Sequence, residues 1–330
     1  MTKRLRWPKR IGLGLIALYA LFVFGWAPYW LAGLATVRRI SYHDRENAGL
    51  TPASFGLPFE EVSFRTDDGV EIKGWWVPAP SGSASSPARE AGTVVLVHGL
   101  NRARIEMVKK VPFVHEHGWN ALLYDQRHHG ESGGDRTTFG WREKDDLRAA
   151  QGFARGRASG PVVYWGISLG AAAATLAAAE DAQVAGLVCD STYRSLPDTV
   201  RHHLKLFRGY RWWLRVVPNW PVAEEVLFWV GRRGGFDPVA VDVRGAAGRM
   251  GGRPCLFVCN SGDRRMPAEI AFELKAAAGD RARVLVVPGN SHGGAWRDGT
   301  AAYESAVAAL LDEAAGAGAA VTQRAEGRLP

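Results

Sequence analysis

The most constraining feature of this sequence is a series of short apolar runs separated by helix-forming stretches. Continuous runs rich in valine, leucine and aromatic residues are typical of strands buried on both faces of a sheet. The runs are residues 93–97, 121–124, 162–165, 184–189, 255–259 and 284–287. The helix-forming stretches are residues 143–154, 171–180, 268–278 and 303–315. This alternation predicts an α/β fold with a mostly parallel central sheet and helices on both faces.

Three other parts of the chain fall outside this alternation. Residues 61–66 and 70–77 flank the turn signal Asp-Asp-Gly at 67–69, which predicts an antiparallel hairpin. Residues 192–245 contain helical patterns but no strand, and they are predicted to form an inserted helical cap. Residues 316–330 are rich in glycine, alanine and polar side chains, so a disordered tail is expected there.

An uncharged segment covers residues 11–37 near the start of the chain. At about 1.5 Å per residue, a helix of this length is long enough to cross about 30 Å of hydrocarbon. Trp26, Tyr29 and Trp30 lie toward the far end of the segment, where interfacial aromatic residues are common. The segment therefore predicts an N-terminal transmembrane helix.

The charges that flank this segment predict its orientation. Five basic residues precede it, whereas Arg38 and Arg39 follow it. The positive-inside bias favours a cytoplasmic stretch at 1–10, a signal anchor, and a linker at 38–57 that leads to an extracytoplasmic domain. The alternative is a signal peptide cleaved after Ala35, which would release a secreted or periplasmic protein.

The distribution of charge argues against a nucleic-acid partner. The chain has a net charge of +8, yet residues 1–40 hold seven basic residues and no acidic one. The remainder is balanced, with 34 basic against 33 acidic residues, so no nucleic-acid partner is expected. Cys189, Cys255 and Cys259 lie within apolar runs, which predicts buried free thiols and no metal site.

A serine stands at a predicted junction of strand and helix. The apolar run 162–165 leads into Gly-Ile-Ser-Leu-Gly at 166–170, and an alanine-rich helical stretch follows. A nucleophile on so tight a turn needs small neighbours, which Gly166 and Gly170 supply. The pattern therefore predicts a nucleophile elbow with Ser168 exposed at its tip.

Two further residues fit a catalytic role beside Ser168. A serine hydroxyl needs a base that takes its proton and an acid that orients the base. His292 follows the last predicted strand, and Asp263 follows the strand before it. Asp190, which directly follows the run 184–189, is the rival acid.

Other residues fit these patterns less well. Ser132 lies between Gly130 and Gly134 in the same pentapeptide pattern, but no helix-forming stretch follows it. His98 lies where the backbone must turn after the first parallel strand, and it is interpreted as a loop-shaping residue. The context therefore favours Ser168 and His292.

Taken together, these pieces resemble the α/β-hydrolase superfamily over residues 58–313. Within it, the sequence is similar to bacterial serine-aminopeptidase-like and membrane-anchored α/β-hydrolase-domain proteins. The matching pieces are the His98-Gly99 turn, the stretch 125–133, the elbow at 166–170, and the loops of Asp263 and His292.

The resemblance implies a domain layout and an oxyanion hole. The α/β-hydrolase domain would cover residues 58–315, with 192–245 as its cap. The backbone N–H groups of Leu100 and Leu169 would hold the oxyanion. The sequence His-Gly-Leu-Asn at 98–101 departs from the His-Gly-Gly-Gly form of many lipases and esterases.

The resulting expectation is a serine hydrolase that uses no metal and no organic cofactor. Ser168 would form the acyl-enzyme, with His292 as its base and Asp263 as the acidic partner of that base. The aromatic residues of the cap favour a small-molecule ester with an apolar acyl group. The alternatives are a serine peptidase or aminopeptidase, a thioesterase, and a non-catalytic membrane-tethered binding protein. The cap is expected to be solvated, with contact between its basic residues and an anionic membrane as the second interpretation.

Overall fold

The computed structural model describes residues 6–36, 47–81, 91–210, 215 and 218–326. The chain divides into two compact units, which we call the helical unit and the sheet unit. The helical unit comprises Met1–Arg38 and Leu196–Ala240, and the sheet unit comprises Arg39–Ser195 and Val241–Pro330. Of the predicted linker at 38–57, residues 38–46 lie outside the described residues.

An eight-stranded sheet forms the centre of the sheet unit. Its strands are β1 (Glu60–Arg65), β2 (Glu71–Val77), β3 (Thr93–Val97), β4 (Asn120–Tyr124), β5 (Val162–Ile167), β6 (Val184–Asp190), β7 (Cys255–Asn260) and β8 (Ala282–Val287). They lie in the order β1-β2-β4-β3-β5-β6-β7-β8. β2 pairs antiparallel with β1 and β4, and every later pairing is parallel. The predicted hairpin and the mostly parallel sheet are confirmed.

Helices follow most of these strands. The α-helices are α1 (Arg6–Leu21), α2 (Ala27–Thr36), α3 (Val111–Glu116), α4 (Glu143–Arg155), α5 (Leu169–Glu180), α6 (Leu196–Tyr210), α7 (Val222–Gly234), α8 (Val243–Ala247), α9 (Glu269–Ala278), α10 (Ala295–Asp298) and α11 (Thr300–Glu326). The four helix-forming stretches of the sequence correspond to α4, α5, α9 and α11.

The side chains of β5 show how helices cover both faces of the sheet. Trp165 packs with Phe113 of α3 and Tyr303 of α11 on one face. The neighbouring Tyr164 donates a hydrogen bond to Gln151 of α4 (2.6 Å). Because successive residues of a strand point to opposite faces, α4 lies on the face opposite α3 and α11.

Strand β8 is less buried than its apolar sequence predicts. It forms the edge of the sheet beyond β7, and Val286 is 38% exposed. An edge strand has a neighbour on one side only, so an apolar run is a weaker guide to burial there.

Helix α11 continues beyond the point where the sequence predicts disorder. Residues 316–326 are helical in the structure, and residues 327–330 lie outside the described residues. Alanine has the highest helix propensity, and the stretch extends a helix already anchored by buried Leu310 and Leu311. Disorder of the tail in solution stays a prediction.

The helical unit begins with a long apolar helix. α1, a π-helical turn at Phe22–Trp26 and α2 follow one another without interruption. The segment Lys9–Leu34 is long and apolar enough to cross a membrane. Helices α6 and α7 complete this unit, so residues 196–240 of the predicted cap cluster with the N-terminal helix.

Candidate active site

The tight turn between β5 and α5 holds Ser168 in a strained backbone conformation. Its φ is +52° and its ψ is −111°, a region that residues other than glycine seldom occupy. The backbone N–H of Ser168 donates a hydrogen bond to the carbonyl oxygen of Asp190 at the end of β6 (2.8 Å). The turn places Ser168 at the carboxyl edge of the parallel strands, where ligands of open α/β sheets bind.

Gly166 and Gly170 make this turn possible. A Cβ added to Gly166 would collide with the backbone of Gly170 and Ala171. A Cβ added to Gly170 would lie 2.5 Å from the carbonyl oxygens of Val97 and His98. Because backbone atoms cannot move aside cheaply, both positions require glycine.

Ser168, His292 and Asp263 lie in one chain of hydrogen bonds. His292 Nε2 lies 2.9 Å from Ser168 Oγ, and His292 Nδ1 lies 2.8 Å from Asp263 Oδ2. Asp263 is buried, and its Oδ1 accepts hydrogen bonds from the backbone N–H groups of Arg265 and Met266 (2.8 and 3.1 Å). These two bonds fix the carboxylate, which in turn orients the imidazole with Nε2 toward the serine.

Asp190, the rival acid, has other partners. Its carboxylate accepts hydrogen bonds from the hydroxyls of Ser191 (2.8 Å) and Tyr303 (3.2 Å), and burial raises its pKa. Ser191 Oγ also accepts a hydrogen bond from the backbone N–H of Gly293 (3.1 Å). Asp190 therefore supports the loop of His292 through Ser191, which contacts Gly293 of that loop. The sequence analysis did not predict this role of Ser191.

Ser132 and His98 also bind neighbouring loops. Ser132 Oγ donates a hydrogen bond to the carbonyl oxygen of Asp125 (2.6 Å) and accepts one from the backbone N–H of Lys73 (2.9 Å). His98 Nε2 accepts a hydrogen bond from the backbone N–H of Gln126 (3.0 Å), and burial holds the pKa of His98 well below its ordinary value. Both side chains are buried and satisfied, which fits a structural role.

Leu169 directly follows the serine, and Leu100 lies in the loop after β3. Leu169 is the first residue of α5, so its N–H has no acceptor inside the helix. The residue before Leu100 is close to the serine, since a Cβ placed on Gly99 would lie 3.7 Å from Ser168 Cβ. In the part of the chain that the structure describes, neither leucine N–H donates a hydrogen bond. The two N–H groups therefore have no acceptor among the described residues.

Glu106 supports the loop of Leu100, although the sequence did not point to it. Its Oε2 accepts a hydrogen bond from the backbone N–H of Gly99 (2.7 Å), and its Oε1 lies 3.3 Å from Arg102 Nε. The spacing of Arg102 and Glu106 indicates an i,i+4 ion pair. The contact with Gly99 depends instead on how the 3₁₀ helix at Arg104–Lys110 folds back on the loop.

The arrangement at Ser168 has a definite chemical capacity. The hydroxyl is hydrogen-bonded to an imidazole, which is hydrogen-bonded to a buried carboxylate. This series allows the serine to transfer its proton to the imidazole, and the serine oxygen can then attack a carbonyl carbon. Among the described residues, no group of three or more His, Cys, Asp or Glu side chains is arranged to hold a metal ion.

Comparisons with known proteins agree with this architecture. The family model described as serine aminopeptidase, S33, matches residues 88–234. The uncharacterised protein Rv2307c of Mycobacterium tuberculosis is 30% identical over 263 residues, which are 77% of this chain and 80% of that protein. The uncharacterised protein YqkD of Bacillus subtilis is 24% identical over 248 residues, which are 74% of this chain and 76% of that protein.

A solved structure gives the same result for the fold. The esterase Pf2001 of Pyrococcus furiosus is similar with a TM-score of 0.63 at 22% identity, covering 80% of this chain and 94% of its own. The fold, the matched family model and these relatives define the class: the chain belongs to the α/β-hydrolase superfamily. It is accordingly a hydrolase.

Proposed function

We propose that this protein is a serine hydrolase that cleaves a carboxylic ester through an acyl-enzyme on Ser168. The observation that carries the proposal is the hydrogen-bonded series from Ser168 Oγ through His292 to Asp263, set on a strained strand-to-helix turn. Backbone strain of this kind persists where the surrounding structure maintains it, and it is concentrated at functional sites.

The proposed reaction begins with attack by Ser168 Oγ on the carbonyl carbon of the ester. His292 Nε2 accepts the hydroxyl proton and then gives it to the oxygen of the leaving alcohol, while Asp263 stabilises the imidazolium. A water molecule, deprotonated by His292, attacks the acyl-enzyme carbonyl and releases the acid with regeneration of Ser168.

The oxyanion of both tetrahedral intermediates would be held by the N–H groups of Leu100 and Leu169. Preorganised donors at such sites stabilise the transition state by about 2.7–4 kcal/mol each. The position of Leu169 at the positive end of α5 adds to this effect.

An ester substrate is favoured over an amide because the similar Pyrococcus furiosus structure is described as an esterase. The second candidate is a serine aminopeptidase, which is favoured by the description of the matched family model.

Labelling with a fluorophosphonate probe tests the nucleophile. We expect detergent-solubilised wild type to be labelled, Ser168→Ala and His292→Ala to lose the label, and Ser132→Ala to keep it. Absence of label on folded wild type would contradict the proposal. A series of p-nitrophenyl esters and aminoacyl p-nitroanilides then separates the two candidates, because an aminopeptidase cleaves the anilides as well, whereas an esterase cleaves only the esters.

We further propose that the segment Lys9–Leu34 is a retained signal anchor, with the N-terminus in the cytoplasm and the sheet unit outside. Its length and apolar character support an anchor, and the basic residues before it support this orientation. Expression with an epitope tag at each end tests it. Retention of both tags on one membrane-bound chain is expected, whereas loss of the N-terminal tag would indicate a cleaved signal peptide.

A further inference from the structure

One face of the apolar N-terminal helix is covered inside the helical unit. α7 packs along α2, and Val23, Pro28 and Ala32 are buried there. Most of the residues at 9–21 in α1 are exposed instead, with Leu15 at 62% exposure. The first half of the helix is therefore free to contact lipid on all sides, whereas the second half shares its surface with α7.

Aromatic and cationic contacts define how α7 meets α2. The rings of Tyr29 and Trp229 pack edge to face with their centroids 5.0 Å apart. The Arg233 guanidinium lies 3.8 Å from the centroid of the Tyr29 ring. Gly33 leaves room for this arginine, since a Cβ there would lie 3.2 Å from Arg233 Cζ. The contact is thus specific to the last turns of the apolar helix.

The position of this contact along the helix sets the depth of α7 in a membrane. A helix needs about 20 residues to cross the hydrocarbon core. A crossing that begins after Arg10 therefore ends near Trp30, which places Tyr29 and Trp30 at the far interface. Packed helices lie about 8–10 Å apart, so α7 is held at the same depth, beside the anchor.

The outer surface of this part of the chain suits a lipid interface. Phe228 and Trp220 are 61% and 75% exposed, although both are large and apolar. Arg232 lies one helical turn after Phe228 and is exposed on the same side of α7. Residues 196–240 carry seven basic against four acidic residues. Of the acidic ones, Glu224 is already paired with Arg201 (2.9 Å).

We propose that residues 196–240 form a second membrane contact, in which α7, packed along α2, reaches the interface of an anionic bilayer beside the N-terminal helix. Phe228 and Trp220 insert among the acyl chains, and Arg232 lies at the level of the lipid phosphates. Aromatic insertion together with basic residues is the combination that holds interfacial helices on anionic membranes. The proposal rests on the anchor proposed above.

Depth-dependent fluorescence quenching tests this contact in the full chain. Single variants Phe228→Cys, Trp220→Cys, Leu15→Cys and Phe272→Cys are labelled with an environment-sensitive fluorophore and reconstituted in phosphatidylcholine–phosphatidylglycerol vesicles. The native cysteines are buried, so the introduced thiols take the label. Phe272 is the matched control, because it is a phenylalanine of the sheet unit with 54% exposure.

The expected result is quenching by lipids that carry a spin label near the headgroup. Labels at 228 and 220 should be quenched at least about twofold more than the label at 272. Arg232→Glu should reduce the quenching at 228 in anionic vesicles, whereas Arg244→Glu, an exposed arginine of the sheet unit, should leave it unchanged.

Two results would overturn the proposal, and they differ in whether the proposed anchor is also contradicted. If the label at 15 is quenched while those at 228 and 220 match the label at 272, the anchor stands and the second contact does not. If the label at 15 is also unquenched, the anchor and the second contact both fall. Neither result bears on the hydrolase chemistry at Ser168.

Discussion

Ser168 is the residue at which backbone strain and chemistry coincide. Its positive φ is tolerated because Gly166 and Gly170 remove the side chains that would otherwise meet the backbone of α5 and β3. The same close approach of Gly170 to the carbonyl oxygens of Val97 and His98 brings the start of α5 against the end of β3. The strain is thus a cost of presenting the hydroxyl at this edge of the sheet.

Replacement of Gly170 by alanine tests this reading of the elbow. The added Cβ would lie 2.5 Å from the carbonyl oxygens of Val97 and His98, so we expect Gly170→Ala to lower the free energy of unfolding by about 2 kcal/mol or more. Fluorophosphonate labelling should be lost as well. Chemical denaturation and gel-based labelling measure the two effects.

Gly152 provides the matched control for this substitution. It also lies in a helix, α4, but nothing comes within 4 Å of a Cβ placed there. Gly152→Ala should therefore stabilise the protein by about 0.5–1 kcal/mol and leave labelling intact. If Gly170→Ala and Gly152→Ala change the free energy of unfolding and the labelling equally, helix propensity and not the close approach at the elbow explains the effect of Gly170→Ala.

Glu106 holds the loop that contains Leu100 in place. Its carboxylate accepts the N–H of Gly99 next to Leu100. We expect Glu106→Ala to slow fluorophosphonate labelling about tenfold, because a displaced loop misplaces the oxyanion donor. Glu106→Gln keeps an acceptor oxygen and should restore most of the rate. If Glu106→Gln is labelled as slowly as Glu106→Ala, the negative charge of Glu106 and not its acceptor oxygen would be the property that the loop needs.

Among the elements, the β1–β2 hairpin is joined to the loop after β4 by an ion pair. Asp68 in the hairpin turn accepts hydrogen bonds from the Arg127 guanidinium (2.8 and 3.1 Å), and Arg127 also binds buried Asp146 of α4. The hydrogen bond from Arg127 lowers the pKa of Asp68 to about 2. The antiparallel edge of the sheet is therefore fastened to α4 by charge as well as by strand pairing.

The stability contributed by Asp68 should depend on pH in a defined direction. A depressed carboxyl pKa means stabilisation that is complete above the unfolded value and is lost as pH falls toward 2. Since Asp68 is about a third exposed, screening limits the effect to about 1 kcal/mol.

Thermal unfolding of Asp68→Asn at two pH values checks this prediction. The variant should have a lower Tm than wild type at pH 7, and the difference should shrink at about pH 3. Asp67→Asn changes the neighbouring turn carboxylate, which forms no ion pair within the described chain, and it should have little effect. A difference for Asp68→Asn that does not change with pH would contradict an electrostatic origin.

At the scale of the whole molecule, charge and apolar surface are divided between the two units. The basic excess lies at the N-terminus and in residues 196–240, which both belong to the helical unit. The sheet unit instead holds the buried core, including all three cysteines. The surface proposed to contact the membrane and the proposed catalytic residues therefore belong to different units.

The packing of the sheet unit predicts the behaviour of the thiols. Burial raises the pKa of Cys255 to about 12 and that of Cys259 to about 11, and it also raises the pKa of Cys189. Because the thiolate is the reactive form, we expect iodoacetamide to leave all three unmodified in the folded protein. Unfolding in guanidinium should expose them, and mass spectrometry counts the adducts. Rapid modification without denaturant would show that the sheet opens locally.

The sequence alone predicted the eight strands, helices α4, α5, α9 and α11, and the tight turn at Ser168. Buried parallel strands require continuous apolar runs, and a serine between two close-packed backbones requires glycine on each side, so both features are written in local sequence. Ser168, Asp263 and His292 could be selected in the same way, because each residue follows the end of a predicted strand. The edge strand β8 and helical residues 316–326 were less predictable, since burial and helix continuity depend on neighbours.

The tertiary structure alone decided which side chains meet. Asp190 is the last residue of β6, and Asp263 follows β7. Only the tertiary structure places Asp263 Oδ2 2.8 Å from His292 and turns Asp190 toward Ser191 and Tyr303. The pairing of α7 with α2 joins segments almost two hundred residues apart. The pattern of apolar residues in a segment indicates which of its side chains can be buried. It does not indicate which other segment will cover them, because contacts between distant segments depend on the packing of the whole chain.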